Sequence, residues 1–461
     1  MTAARWATWL SILLLGLGRG AARAENLAEA WRIVLSGNPQ LQAQRLNAGA
    51  AGINLAAAQR GYLPRGTATA VDVQFLSPPP RFGLTPSGSA APGGGTLGTA
   101  AFPFPFAGQN NLPFAITSLN QPVYAGGRIR NQVDAAGAQV SQQQAGRVRT
   151  ALDLKLAVAE AYVDVLQSKR NLEVAKSDVT RLDSFLSDVR NRQRVGMATR
   201  NEELSAEVSL ANARLREIQT RNAQSIAWAT YNRYMLRPLE AVVEIDDLGP
   251  PPSAARFTAA DQARAPTVAG TAEVRELVTL TDQALRIRPE LAQLSGRARE
   301  LISQAQVTRA TMRPNVNVGI NYVYAGFNAL TNRDIWAATA VGSWNFYDGG
   351  TARRQAQAQE QQSRAAMQQR ADQAAAIALE VRTRWLNLSE ARERIEVSRV
   401  AIAQSDENVN VVQDRYRQQL STYTEVLDAE TQRVQAYANF YNATYDAALA
   451  WFRLHRAVGD L

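Results

Sequence analysis

Residues Asn315-Val316-Asn317-Val318-Gly319-Ile320-Asn321-Tyr322-Val323-Tyr324 alternate strictly. Val316, Val318, Ile320, Tyr322 and Tyr324 share one parity, and Asn315, Asn317, Gly319 and Asn321 the other. Period two predicts a strand with one apolar and one polar side. A second run, Ile335 to Tyr347, puts Trp336, Ala338, Ala340, Trp344 and Phe346 on one parity and Thr339, Ser343 and Asn345 on the other. With Asn328 to Asp334 as the turn, the two predict a hairpin over 315–347.

The same signal recurs upstream. Thr69, Val71, Val73 and Phe75 alternate with Ala70, Asp72 and Gln74, and Phe114 to Tyr124 is a weaker return strand. This recurrence belongs to a larger duplication. Asn38-Pro39 and Leu63-Pro64 match Arg288-Pro289 and Arg313-Pro314 at an offset of 250. Tyr124-Ala125-Gly126-Gly127, Leu204-Ser205-Ala206-Glu207 and Trp228 match Tyr347-Asp348-Gly349-Gly350, Leu427-Asp428-Ala429-Glu430 and Trp451 at 223. The difference of 27 residues falls between Pro64 and Tyr124, where residues 77–113 hold eight prolines and seven glycines. Such a stretch cannot be helix and predicts a long exposed loop within the first hairpin.

Downstream of each hairpin the composition turns helical. No glycine interrupts Thr351 to Val458, and the Ala, Gln, Arg and Glu content favours helix throughout. Leu152, Leu156, Ala159, Val163 and Leu166 step by 4, 3, 4 and 3, the spacing of a coiled-coil seam. A single helix from Arg130 to Arg194 would be on the order of 100 Å long at ~1.5 Å per residue. The predicted organisation is a first repeat over 25–237, with hairpin 66–124 and long helices 127–236. A linker over 238–275 follows, then a second repeat over 276–461, with hairpin 315–347 and long helices 350–458.

The N-terminus sets the compartment. Arg5, an apolar run from Trp9 to Leu17 and Ala22-Arg23-Ala24 predict a signal peptide, residues 1–24, cleaved before Glu25. Its loss lowers the formal charge from +9 to +6. The remaining arginines are scattered among acids along helices, so no nucleic-acid partner is expected. There is no cysteine and a single histidine, His455, which excludes a thiol nucleophile or thiolate metal site. No catalytic constellation, metal site or cofactor is expected.

No later apolar run approaches the roughly 20 residues of a membrane-spanning helix, so any crossing must be by strands. Four strands of about ten residues are the right length. They cannot close a barrel alone, and their open edges would be intolerable in lipid. The competing reading is a soluble periplasmic coiled-coil adaptor or scaffold whose hairpins never enter a membrane.

Several ordered motifs resemble one family over residues 26–461. They are Leu27-Ala28-Glu29-Ala30-Trp31 with Asn38-Pro39, Leu63-Pro64, Gln121-Pro122 with Gly126-Gly127-Arg128, Val195-Gly196-Met197-Ala198-Thr199, and Thr422 to Glu430. The chain resembles TolC-like outer-membrane factors of efflux pumps and type I secretion systems.

That resemblance implies an α+β membrane protein. Three copies would close a twelve-stranded β-barrel, four strands per subunit, continuous with a long α-helical coiled-coil barrel in the periplasm. It implies a homotrimer in the outer-membrane lipid of a Gram-negative type envelope, with a periplasmic adaptor and an inner-membrane transporter as partners. Adaptor docking is expected at two helical hairpin tips, at Arg194, Val195, Gly196 and Thr199 and at Leu420 and Thr422. Gln419 stands where the family usually has glycine. An acidic gate is expected at Glu425 and Asp428, with Tyr416 and Glu202 at positions that help hold it shut, whereas Ser421 replaces a basic residue. Three copies of each carboxylate would attract cations and raise one another's pKa.

Overall fold

The computed structural model describes residues 25–74, 76, 111–248, 272–326 and 332–461. The expected signal peptide, the 77–110 part of the loop, most of the linker and the turn around Asn328 lie outside the described residues. Helices α1 (Leu27–Gly37) and α2 (Pro39–Gln59) lead to strands β1 (Arg65–Gln74) and β2 (Asn111–Tyr124). Helices α3 (Arg128–Arg194) and α4 (Arg200–Met235) follow. The order then recurs as α5 (Ala272–Ile287), α6 (Pro289–Ala310), β3 (Asn315–Ala325), β4 (Asp334–Ser343), α7 (Thr351–Arg417) and α8 (Tyr423–Val458). Helices α3 and α7 both have 67 residues, and α4 and α8 both have 36. No described helix is long and apolar enough to cross a membrane.

Local chemistry sets the helix ends. Asn26 caps α1 by accepting from the Glu29 amide at 2.8 Å, and Asn38, extended before Pro39, stops it. Asp348 caps α7, accepting from the amides of Gly350 and Ala352 at 2.9 and 2.7 Å.

The chain divides into two compact units. The first combines residues up to Gly49 with 141–295 and 367–461, and is helical with a layered core. The predicted seam on α3 is part of that core, but Val158, Tyr162 and Val165 are buried beside it. This stretch of α3 is therefore covered on more than the single stripe that a two-helix seam requires. Tyr162 donates to the carbonyls of Glu25 and Asp246 at 3.0 and 2.6 Å, holding the start of the described chain against residues 244–246.

A buried ionic cluster lies deeper. Arg288 and Arg456, 5 % and 7 % exposed, converge on Glu290 at 2.9 Å each. Arg456 also reaches Asp153 at 2.7 Å, and Arg288 the carbonyl of Ala457 at 2.9 Å. The cluster joins α3, α6 and α8. Isolated, such charges would cost several kcal/mol each to bury; mutual pairing makes them tolerable.

The second unit, residues 50–140 and 296–366, contains one antiparallel sheet of order β1-β2-β3-β4. β2 is 14 residues long and accommodates Pro122 at a register shift, the position where a missing amide is tolerated. β4 ends at Ser343 instead of running to Tyr347; the Trp344 indole donates to the Met312 carbonyl at 3.0 Å.

The pairing assigns the faces. Leu119, Ile320 and Ala338 share one side, with Thr117, Tyr322 and Trp336 beside them. Ile116, Val323 and Ile335 share the other, where Thr69 and Val71 also fall. The apolar parity of β1 thus lies opposite that of β3, and the matching face of β1 carries Gly66, Ala68, Ala70, Asp72 and Gln74. On β3, Val318, Ile320 and Tyr324 are exposed while Val316 and Tyr322 beside them are half-buried, and no residue of the opposite parity, from Asn315 to Ala325, is exposed, which marks the latter as the concave side. Exposed Trp344, Phe346 and Tyr347 lie about eight residues beyond exposed Trp336, roughly 26 Å of extended chain, close to the apolar height of an outer-membrane barrel.

Both long-helix pairs turn in the same way. Gly196 at φ +76° and Gln419 at φ +62° are left-handed. In each turn the next residue, Met197 or Leu420, donates back to the carbonyl of Arg192 or Arg415 at 2.8 Å. This is a Schellman closure. A side chain costs about 1–2 kcal/mol in that conformation.

Gly196→Gln should therefore lower the thermal midpoint of the purified protein by the equivalent of about 1–2 kcal/mol. Gln419→Gly should raise it modestly, the relieved strain exceeding the ~0.4–1 kcal/mol of added unfolded-chain entropy. Melting curves read by helical circular dichroism check both signs. The ionic cluster carries its own pH signature. Burial pushes the Glu290 carboxyl up, but hydrogen bonds from Arg456 and its own amide, with the nearby Arg288 charge, outweigh it and hold it below the usual range. Its stabilisation is present above the unfolded value of about 4.3 and is lost as pH falls through the lower folded value. Glu290→Ala should cost roughly 3 kcal/mol at neutral pH and flatten the acid limb of the stability–pH curve.

Candidate functional site

The helical hairpin tips gather every residue expected to act. At the first, Thr199 caps α4 by accepting from the Glu202 amide at 3.3 Å. At the second, Thr422 caps α8 by accepting from the Glu425 amide at 3.4 Å. A carboxylate three residues after each cap lies in the positive first turn of its helix, and Arg192, Arg194, Arg415 and Arg417 occupy the negative last turns of α3 and α7.

Tyr416 and Glu202, from opposite halves of the sequence, come together. The phenol donates to Glu202 Oε2 at 3.4 Å, a long bond. Burial first and the Glu202 charge second raise the Tyr416 pKa, so the phenol stays a neutral donor. Arg192 completes the contact. Its guanidinium lies 4.9 Å over the Tyr416 ring and donates to the Tyr416 carbonyl at 3.4 Å. Phe185 stacks on Tyr423 at 5.5 Å and tilts against Tyr416 at 6.0 Å. Sequence reasoning missed Arg192, Phe185 and Tyr423; the one signal available was their spacing near the ends of long helices.

Glu425 is exposed and held by its neighbours. Ser421 and Thr422 donate their hydroxyls to its two oxygens at 2.7 and 3.1 Å. These bonds, Ser421 first, depress its pKa within the single chain. Asp428 is exposed one turn further on the same helix face, with no ion-pair partner among the described residues. No hydrogen bond joins Glu425 or Asp428 to Tyr416, to Glu202 or to each other among the described residues, so within one chain the expected gate group is one bonded pair, Tyr416–Glu202, and two exposed carboxylates.

The expected docking residues divide as well. Thr199 and Thr422 serve as caps and Gly196 as a turn, while Arg194 bonds locally to Asn191 at 2.6 Å. Val195, Met197 and Leu420 expose about two thirds of their surface, at 68, 65 and 65 %. Each tip therefore presents a hydrogen-bonded turn with exposed apolar side chains, Val195 and Met197 at the first and Leu420 at the second, beside arginines.

The outer membrane efflux protein family matches residues 108–235 and 280–460, more than half of the chain. No curated protein matches by sequence. Solved structures match over nearly the whole length. The outer membrane protein VceC from Vibrio cholerae is 16 % identical with a TM-score of 0.73, covering 94 % of this chain and 96 % of its own. The CmeC outer membrane channel of Campylobacter jejuni is 13 % identical with a TM-score of 0.72, covering 95 and 86 %. The open state of the MtrE outer membrane channel of Neisseria gonorrhoeae is 15 % identical with a TM-score of 0.71, covering 94 and 88 %. At such identities the likeness speaks for the fold, long helices with a four-stranded sheet. From the family match and this architecture together, the chain belongs to the outer membrane efflux proteins, channels of the outer membrane whose helices lie in the periplasm.

Proposed function

We infer that the chain is one subunit of a homotrimeric exit duct serving a tripartite efflux pump or a type I secretion system. The observation that carries this reading is the sheet: four strands with unpaired outer edges on β1 and β4 and an apolar face that is largely exposed. In lipid those edges must be paired, and three copies supply the twelve strands of a closed barrel. The long helices form the periplasmic conduit, and the duplicated halves, residues 25–237 and 276–461, give it its near-even wall.

Docking of a periplasmic adaptor, itself bound to an inner-membrane transporter, is supported by the shape of the tips. Val195 and Leu420 offer apolar anchors, Arg194 a polar rim, and Gly196, Thr199 and Thr422 the turns and caps that hold them rigid. Such a centre of desolvated anchors with a polar border is what protein partners use.

The periplasmic gate is assigned to Glu425 and Asp428, with Tyr416–Glu202 as a latch between the two hairpins. Because local hydroxyls hold Glu425 ionised, three copies give a fixed negative ring at neutral pH. Such a ring concentrates cations and is blocked by divalent ones.

Glu425→Ala combined with Asp428→Ala should raise single-channel conductance in planar bilayers about twofold or more and relieve block by divalent cations. Unchanged conductance and block would remove these residues from the gate. Absence of any channel activity from the native trimer would overturn the duct itself.

A further inference from the structure

The two hairpins are copies of one another down to their register. The offsets of 250 and 223 that relate the sequence halves carry Arg65 opposite Asn120 onto Asn315 opposite Ser343, which is the pairing that β3 and β4 adopt. They also carry one side-chain contact onto another. Gln121 donates to the Tyr62 carbonyl at 2.5 Å, and its counterpart Trp344 to the Met312 carbonyl at 3.0 Å. Whatever joins the first hairpin to the second inside the chain is therefore a template for joining the second hairpin to the first of another copy, head to tail around a closed ring.

Two contacts make that internal seam. β2 pairs with β3, Ser118 opposite Asn321 and Asn120 opposite Gly319. The turn into α3 then seats on the corner between α6 and β3. Gly126 is buried there, its carbonyl accepts from the Arg313 guanidinium at 3.0 Å, and an added side chain would meet Arg313 Cβ at 2.6 Å. The counterparts of both contacts lie open in the single chain. Gly349, left-handed like Gly126, is exposed with nothing within 4 Å of where a side chain would start, and Arg60 and Leu63 of the matching corner are exposed. Along β4 every residue except Thr339 is exposed. β4 also stops at Ser343, whereas β2 runs past the equivalent Asn120 to Tyr124, because Gln121, Pro122 and Tyr124 pair with β3 beyond the end of β1.

We propose that the seam between subunits repeats the seam between hairpins. β4 pairs with β1 of the next copy, Val341 opposite Val71, Gly342 opposite Ala70, Ser343 opposite Thr69 and Trp344 opposite Ala68, while Gly349 seats on the next copy's corner at Arg60–Pro64. The inference rests on the trimeric duct and fixes the register at which it closes. That register sets concave residues against concave and convex against convex, which a slip of one residue would break. It brings the exposed Trp344 indole to Ala68, with Gly66 and Ala70 beside it, where small side chains leave room. Asp72 falls opposite Ala340 and away from Asp334, so those two like charges do not face each other. At the corner Leu63 stands where the internal seam has Arg313, so the contact between copies is apolar where the internal one is hydrogen-bonded.

The lack of native cysteine makes the test direct. Thr69→Cys, Val71→Cys, Val341→Cys and Ser343→Cys are combined two at a time in the full-length protein, and membranes are treated with a mild oxidant. Within one chain β1 and β4 lie three strand spacings apart, roughly 14 Å, too far for a disulfide, so any bond formed joins copies. Opposite residues on paired antiparallel strands have Cα atoms about 4.5–5.5 Å apart, within disulfide reach, and diagonal neighbours about 7–8 Å. Val71→Cys with Val341→Cys, and Thr69→Cys with Ser343→Cys, should therefore give covalent trimers. The exchanged pairs, Thr69→Cys with Val341→Cys and Val71→Cys with Ser343→Cys, should link about tenfold more slowly. The glycine seat is read separately. Gly349→Asn should shift the protein from trimer to monomer in detergent at concentrations where Gly350→Asn stays trimeric. Both positions are left-handed, but the counterpart of Gly350, Gly127, meets only the ends of the Arg313 and Asn131 side chains.

Exchanged pairs that link as fast as the matched ones overturn the register, as do matched pairs that stay unlinked in a protein that sediments as a trimer in detergent. Equal loss of trimer in the two glycine variants overturns the seat on the corner. A native protein found only as a monomer fails the trimeric duct itself, and the seam with it.

Discussion

A backbone amide left unpaired in hydrocarbon costs several kcal/mol, and β1 and β4 each present a row of them at the ends of a four-stranded sheet. Every other feature of the second unit is consistent with that constraint being met by other copies of the chain. On the face that continues the apolar side of β3, β1 carries small residues, Gly66, Ala68 and Ala70, over most of its length before Asp72 and Gln74, so a neighbouring strand can approach there without a bulky side chain in the way. A chain that cannot satisfy its own edges gains membrane stability only on assembly, which couples barrel closure to oligomerisation.

The helical unit meets a different constraint. Helices of 67 residues expose so much surface that a single stripe cannot hold them, and α3 is accordingly buried on several sides around Tyr162. Ionic clusters mark where helix ends must be fixed: Arg288, Glu290 and Arg456 join the end of α8 to the start of α6. The tips are fixed by backbone hydrogen bonds and threonine caps instead, which leaves their side chains available.

Periodicity made much of this legible. The alternation of Val318, Ile320 and Tyr322, the glycine-free helical runs and the valine-glycine turn at Gly196 all correspond to elements of the structure. What stayed hidden depended on pairing between distant segments. Parity showed that Thr69, Val71 and Val73 alternate, but only the register with Ile116 and Val323 assigns them to the concave face. Gln419 adopts the glycine conformation because its turn is held by the same hydrogen bonds as Gly196, a context that residue type does not announce. Arg192, Phe185 and the Asp153–Arg456 pair were invisible for the same reason, their partners lying more than 200 residues away in each case.

Glu425 illustrates how one side chain can serve a helix cap and remain a surface charge. Its carboxylate closes the N-terminal turn of α8 through Ser421 and Thr422 while facing solvent as a charge. Asp428 carries the charge without the cap. Of the two acids, only the first also closes a helix turn, so a substitution at Asp428 changes the charge of the tip alone, whereas one at Glu425 also frays the start of α8.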